Sequence, residues 1–287
     1  MDIWEQWLSV DRFSGSSAAE AAQGLQFIAG IRAWLLAQVR LAPGDTVLEL
    51  GCGAGDFLPQ LLDAVGPEGH VLGLDHSAGL CARAAQTVAG HRWAERCTIV
   101  QGDMRELPHG PQSVQAVVCR AVLQYAEDDL PRVAAEIARV LAPGGRLAAF
   151  EVLPGDGTPL LPVPRTAAGR NAHAHALSAW RRLPYALAQA DLAQAFGPPA
   201  FCPVTVSAQV TDWLQPFARE RFVADLAQIP RPGCPSLRAL YTGGLDATGE
   251  RAWASLLEEA SSAAQRGAVA YLTAERTSGP AAAPPAP

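Results

Sequence analysis

The residues best suited to chemistry lie in one short run, Glu49-Leu50-Gly51-Cys52-Gly53-Ala54-Gly55-Asp56. Glycines at alternate positions let the backbone turn tightly and let a ligand approach with no Cβ in the way. A helix starting just beyond such a turn adds unpaired N–H groups. Taken alone, the pattern also fits an ordinary strand-to-helix turn. The spacing is GxGxG, and Asp56 stands where the dinucleotide fingerprint has its third glycine, which counts against NAD or FAD. Glu49 precedes the first glycine; a carboxylate there repels a pyrophosphate and suits a ligand with an amino group or a cation. Asp75 lies about twenty residues past the turn, where a carboxylate can accept from both hydroxyls of a ribose. Its alternative role is helix capping. Gly102-Asp103-Met104 follows a further apolar run; an acid and a thioether there can bond an adenine amino group and pack on its ring. Arg120 ends another such run, and its guanidinium suits either a ligand carboxylate or a surface ion pair.

These residues need a scaffold that brings strand ends together. Thr46–Leu50, His70–Leu74, Cys97–Gln101, Ala116–Cys119 and Arg146–Val152 are short apolar runs separated by helical patterns over Asp56–Val65, Ala78–Ala89 and Asp129–Leu141. Apolar runs of that kind between helices predict a parallel sheet covered on both faces. Ser77 is placed to cap its helix, and Pro143-Gly144-Gly145 stops the third. A helix is expected over Ala18–Val39, after a turn at Ser14–Ser17. Beyond residue 152 come a Pro-rich loop (154–164), an Ala-rich helical stretch (170–195), an alternating strand at Pro203–Gln209, helical pieces over 215–266 broken at Pro230–Pro235, and a last strand at Val269–Glu275. The expected fold is α/β: a Rossmann-like, mostly parallel seven-stranded sheet with helices on both faces and a helical cap. The last two strands form an antiparallel pair. The expected divisions are an N-terminal helical segment or lid (1–45), a ligand-binding core (46–152), a cap with the final strands (153–276) and a disordered tail (277–287).

Composition narrows the function. The chain has 287 residues, 49% of them hydrophobic, and a net charge of −6. An acidic protein repels phosphate backbones unless it carries a local basic patch, and the arginines are scattered. The sequence contains no lysine, which excludes a Schiff-base or P-loop lysine. No apolar run is long enough to span a membrane, and the start has no basic leader segment, so a cytoplasmic protein is expected. The six cysteines are dispersed with no CxxC pair, which argues for reduced thiols and no metal site.

Four segments together, VLELGCGAGDF (47–57), GLDHSAGL (73–80), QGDMRELP (101–108) and EIARVLAPGGRLAAFE (136–151), resemble the class I S-adenosylmethionine-dependent methyltransferases. They are most similar to the small-molecule group that includes the ubiquinone and menaquinone C-methyltransferases. The resemblance covers roughly residues 20–152. It implies S-adenosyl-L-methionine as cofactor, with Glu49, Gly51, Cys52 and Gly53 along its methionine and ribose side. Asp75 would hold the ribose hydroxyls and His76 would flank the adenine. Asp103 and the Met104 backbone would bind the adenine edge, and Arg120 would lie near the methionine portion. The chain departs from the family pattern at Gln115, where an acid is common, and at Gln124, where many members have His.

The expected activity is methyl transfer to an oxygen, nitrogen or carbon of a small molecule with an apolar portion. Nicotinamide-dependent oxidation and non-catalytic binding of the same cofactor are the alternatives. A nucleic-acid substrate is disfavoured by charge and by Cys119-Arg120-Ala121-Val122 where base methylators carry an Asn/Asp-Pro-Pro-aromatic motif. No residue is singled out as the catalytic base. His173 and His175 are two apart and do not share a helix face. Trp4, Trp7 and Phe13 suit either a lid or a docking stripe. Tyr185 and Asp212 are the cap's further candidates for a base, and Trp180, Trp213 and Phe217 suit either an apolar pocket or the core of the cap.

Overall fold

The computed structural model describes residues 18–183, 186–216 and 236–278. The chain begins there with α1 (Ala18–Val39) and enters an alternation of strands and helices: β1 (Thr46–Leu50), α2 (Leu58–Val65), β2 (His70–Asp75), α3 (Ala78–Val88), β3 (Cys97–Gln101), β4 (Val114–Arg120), a 3-10 turn (Leu123–Asp129), α4 (Leu130–Val140) and β5 (Leu141–Val152). There follow β6 (Thr158–Pro162), α5 (Ala167–Arg181), α6 (Gln189–Ala195), β7 (Phe201–Pro216), α7 (Leu237–Thr242), α8 (Ala247–Glu259) and β8 (Ser262–Arg276).

Successive side chains of a strand point to opposite faces, and the parallel strands here divide their apolar residues accordingly. Val47, Val71, Ala116, Val118, Ala148 and Phe150 meet α1, α2 and α3 in one layer. Leu48, Leu50, Leu74, Val117, Cys119 and Leu147 meet α4 in the other. α4 shows why the helices lie flat on the sheet: Leu130, Val133, Ala134, Ile137 and Val140 recur at three- and four-residue spacing and are all buried. Each buried Leu, Ile or Val of these layers contributes roughly 1.5–3 kcal/mol. Ser77 caps α3 by accepting from the Leu80 N–H at 3.2 Å, and Gln115 steadies β1 by accepting from the Thr46 N–H at 2.9 Å.

The strand order is β3-β2-β1-β4-β5-β8-β6, with β7 also paired to β8, so among the described residues the sheet has eight strands and not seven. The first five are parallel. β8 runs antiparallel to β5, β6 and β7: its second half lies beside β5 and its first half beside β6, while β7 follows it along nearly its whole length. The additional strand, β6, comes from the stretch read as a Pro-rich loop. Among the described residues it pairs only with β8, and an edge strand tolerates prolines because one side needs no N–H donors. β7 and β8 are also longer than their alternation suggested; the Ser-Ala-Ala-Gln start of β8 has helix-like composition and is drawn into the sheet by its partners.

α5, α7 and α8 form the helical cap. With Leu161 of β6 they bury a separate small core that includes Ala176, Trp180, Tyr241, Trp253 and Leu256. Trp180 belongs to this core and donates from Nε1 to the Pro154 carbonyl at 3.2 Å. Residues 1–17, with Trp4, Trp7, Phe13 and the Ser14–Ser17 turn, lie outside the described residues, as do Tyr185, Phe217, the Pro230–Pro235 break, the Trp213 side chain and residues 279–287. Thr277, placed in a disordered tail by its sequence, is tied down: its N–H donates to the Ala200 carbonyl at 3.0 Å and its hydroxyl to the Pro199 carbonyl at 2.9 Å.

Candidate active site

The carboxyl ends of parallel strands in an open α/β sheet leave a crevice where ligands bind. Here β1, β2, β3 and β4 open into one cavity of about 920 Å³, and α1 forms a wall of it through Leu25, Ile28, Ala29 and Arg32. That volume is near the top of the roughly 300–1,000 Å³ usual for small-molecule sites. Of the residues singled out from sequence, Gly51, Cys52, Gly53, Asp75, His76, Asp103, Met104 and Arg120 all line this cavity. Glu49 lies just beneath it, 4% exposed.

The glycine turn is held by its neighbours before any ligand arrives. The N–H groups of Gly51 and Cys52 both donate to the Leu74 carbonyl, at 2.7 and 2.9 Å. Gly51 has φ of +70°, and a Cβ there would meet Val122 Cγ2 at 2.3 Å. Gly55 has φ of +81°, and a Cβ there would meet the Ala84 backbone at 2.8 Å, so α3 packs directly on the turn. The Thr87 hydroxyl closes that contact by donating to the Ala54 carbonyl at 2.7 Å.

Asp75 ends β2 with its carboxylate already oriented. Oδ2 accepts from the Gly53 N–H at 2.8 Å and Oδ1 from the Ser77 N–H at 3.0 Å. Each oxygen retains a further lone pair for a ligand hydroxyl. His76 follows, its carbonyl accepting from Gln101 at 3.1 Å. At the end of β3, Asp103 Oδ1 accepts from the Arg105 N–H at 2.8 Å and from its guanidinium at 3.3 Å. Burial alone would raise this carboxyl, but the Arg105 N–H and guanidinium outweigh it and hold Asp103 below the ordinary range. Met104 is half-buried against the core beside it.

The opposite end of the cavity has a different character. Burial raises Glu49 to about 8, against the pull of Arg120 and Arg32. Its Oε2 has no hydrogen-bond partner, and neither has the Nε of Arg32 or of Arg120. Buried polar atoms are usually bonded, so three orphans together mark a place built for a ligand with both a donor and an acceptor. Among the lining acids, Asp56 approaches Arg32 at 3.9 Å. Burial pushes the Cys52 thiol up, so it stays neutral against the ligand.

Chain direction across the cavity floor is set by the residues after β4. Ala121 has φ of +57°, which residues other than glycine seldom adopt. Its N–H donates to the Phe150 carbonyl at 2.7 Å. Beneath it, fully buried Glu151 accepts from the N–H groups of Val122, Leu123 and Gln124 at 3.1, 3.0 and 3.4 Å. Burial raises Glu151 to about 7, opposed by those N–H groups. This turn presents Val122 and Tyr125 to the cavity.

Arg32, Arg105, Tyr125 and Glu151 were not singled out from sequence. Arg32 sits on a helix with no local motif, and the arginines scattered along the chain here converge. Glu151 carried one signal: an acid within an apolar strand. The expected roles for cap residues fare differently. Trp180, His173 and His175 line no part of this cavity, and His175 instead meets the Gly243 carbonyl at 3.1 Å. Asp212 pairs with Arg266 at 2.6 Å on the outer strands. Among the described residues, no group of three or more His, Cys, Asp or Glu is arranged to hold a metal, and no helix is long and apolar enough to cross a membrane.

Comparison with known proteins agrees with this geometry. Residues 47–145 match a family described as a methyltransferase domain. The chain is 38% identical over 113 residues to an arsenite methyltransferase of Halobacterium salinarum, a match covering 39% of this chain and 28% of that protein. It is 35% identical over 118 residues to a demethylmenaquinone methyltransferase of Symbiobacterium thermophilum, covering 40% of this chain and 46% of that one. The match thus spans less than half the length of either relative. Among solved structures, the geranyl diphosphate C-methyltransferase of Streptomyces coelicolor has a TM-score of 0.50 at 18% identity, over 87% of this chain and 77% of that one, a likeness of fold. Residues 47–145 are thus similar to a methyltransferase domain, and over a stretch of about that length the chain resembles the demethylmenaquinone methyltransferases.

Proposed function

We propose that the chain is an S-adenosylmethionine-dependent methyltransferase of the cytoplasm, acting on an oxygen, nitrogen or carbon of a small molecule. The observation that carries this reading is a set of orphaned atoms: the Nε groups of Arg32 and Arg120, which line the cavity, and Oε2 of Glu49 just beneath it. An amino-acid zwitterion fits them, with its ammonium toward Glu49 and its carboxylate toward the arginines. At the other end, Asp75 receives the ribose hydroxyls through its remaining lone pairs. Asp103 and the Met104 backbone take the adenine edge, and His76 flanks the ring. Gly51, Cys52 and Gly53 let the backbone lie against the middle of the ligand. Residues 46–152 are then the cofactor-binding part, and α1 supplies a wall beside it through Leu25, Ile28, Ala29 and Arg32.

When bound, the cofactor supplies an electrophilic sulfonium methyl. The protein's task is to hold the nucleophile in line and exclude water. Leu25 and Ile28 of α1, with Val122 and Tyr125 opposite, give the cavity an apolar side suited to that task and to a substrate with an apolar portion. Calorimetric titration with S-adenosylhomocysteine tests the reading, with methyl-labelled cofactor in metabolite extracts to reveal the product. Saturable binding and a labelled small molecule are expected. NADH binding in its place would transfer the cavity to the oxidoreductase reading, and binding without any labelled product would leave a non-catalytic cofactor binder.

A further inference from the structure

The turn after β4 is gripped by two side chains of opposite charge. Buried Glu151 takes three of its N–H groups. Arg105 takes two of its carbonyls: Nη2 donates to Tyr125 at 3.1 Å and to Ala126 at 3.3 Å. Nε of the same guanidinium donates to Asp129 Oδ2 at 2.7 Å. Val122 and Tyr125 of this turn face the first cavity, and Gln124 faces a smaller one behind it. So anchored, Arg105 points Nη1 at Asp103 Oδ1, 3.3 Å away, the oxygen that also accepts from the Arg105 N–H. Oδ2 of Asp103 has no protein partner among the described residues and stands in the wall of the first cavity. One bond leaves a carboxylate free to turn about it; a second donor from another direction stops that rotation. The planar fork of an arginine suits this task, because its donors are fixed relative to one another. Side chains of Arg105 and Asp129 are 27% and 52% exposed, and ion pairs so exposed add little to stability. What the pair contributes is direction.

We propose that Arg105 is a positioning residue for the purine base: held by Asp129 and the turn carbonyls, it fixes the Asp103 carboxylate with Oδ2 toward the exocyclic amino group of adenine, and so sets the preference for adenine over a 6-oxopurine. The proposal rests on the cofactor reading given above. A 6-oxopurine carries an oxygen where adenine carries that amino group, and a carboxylate fixed opposite the oxygen repels it. A carboxylate free to swing clear discriminates less. Asp129 lines neither cavity, so its influence on the base passes through Arg105.

The test is calorimetric titration of the full chain with S-adenosylhomocysteine and with S-inosylhomocysteine, its 6-oxopurine counterpart. The wild-type chain is expected to prefer the adenine compound by about thirtyfold, the worth of a charge-assisted hydrogen bond. That preference should fall to about threefold in Arg105→Leu and to about tenfold in Asp129→Ala, as the bond is misdirected wholly or in part. Both ligands titrate one preparation, so partial unfolding of a variant leaves the ratio unchanged. An unchanged ratio in Arg105→Leu, as a purely structural arginine would give, overturns the proposal. So does a ratio lost in Arg105→Leu but intact in Asp129→Ala, which would put Arg105 itself on the base. A wild-type chain that binds both compounds equally overturns the proposal and leaves the cofactor reading standing. One that does not bind S-adenosylhomocysteine removes both.

Discussion

Residues 46–152 and residues 153–276 both bury aromatic and aliphatic side chains, but of these two segments only the first lines the main cavity among the described residues. In the first, the groups that meet the cavity are fixed by backbone: strand ends, a glycine turn tethered to Leu74, and a carboxylate held by two N–H groups. In the second, position is set by side chains packing on one another around Trp180, Tyr241 and Trp253. A site fixed by backbone tolerates sequence change at its periphery. A cap fixed by packing can drift while the site persists. The difference accords with a family match that ends at residue 145 although the fold continues.

Four measurements can break or sharpen this contrast. The largest effect is expected from Trp253→Ala in the cap, which should lower stability by about 3–5 kcal/mol. Thermal or urea unfolding measures this, and S-adenosylhomocysteine affinity of the folded protein should stay within about twofold; a parallel loss of affinity would join the two segments into one functional unit. Gly51→Val should abolish ligand binding. It also places a branched side chain at φ of +70° against Val122, adding about 1–2 kcal/mol of backbone strain and about 1–3 kcal/mol of overpacking. Normal affinity in this variant would show the turn to be architecture alone. Asp75→Ala removes a charged acceptor worth roughly 1.5–3 kcal/mol and should weaken S-adenosylhomocysteine by about tenfold or more.

The fourth measurement is a pH dependence. Glu49 and Glu151 are raised to about 8 and about 7 in the folded chain, first by burial. Between the ordinary carboxyl range and those values, the unfolded chain is ionised at these positions while the folded chain holds the proton. The unfolded state then binds fewer protons, so stability falls as pH rises from about 4.5 to about 8 and levels off above. Thermal midpoints across that window should show the decline, and Glu49→Gln should flatten its upper part. A midpoint that rises over the same window would contradict the burial of both acids as neutral groups.

Much of the core was legible in the sequence because a parallel strand buried on both faces reads as a largely apolar run, and β1, β2 and β4 are such runs. Asp75 was legible because its distance from the glycine turn reflects one helix and one strand. Arg32 was not: it reaches the cavity from α1 through tertiary packing, which leaves no mark on spacing. β6 was hidden by its prolines, which an edge position permits, and the start of β8 by alanines that favour helix in isolation. The direction of Gln124 away from the first cavity follows from the capping of its turn by Glu151, a contact across 27 positions that no local pattern records.

The position of β8 has a bearing on how the molecule is assembled. β1 to β5 can pair with one another as the chain emerges, but among the described residues β6 and β7 have no strand neighbour except β8. Until residues 262–276 are made, two strands wait with open edges, and such edges invite pairing with other chains. Residues 262–276 thus act as a keystone: a nascent chain halted just short of them would carry a nearly complete parallel half beside an adhesive, unfinished flank.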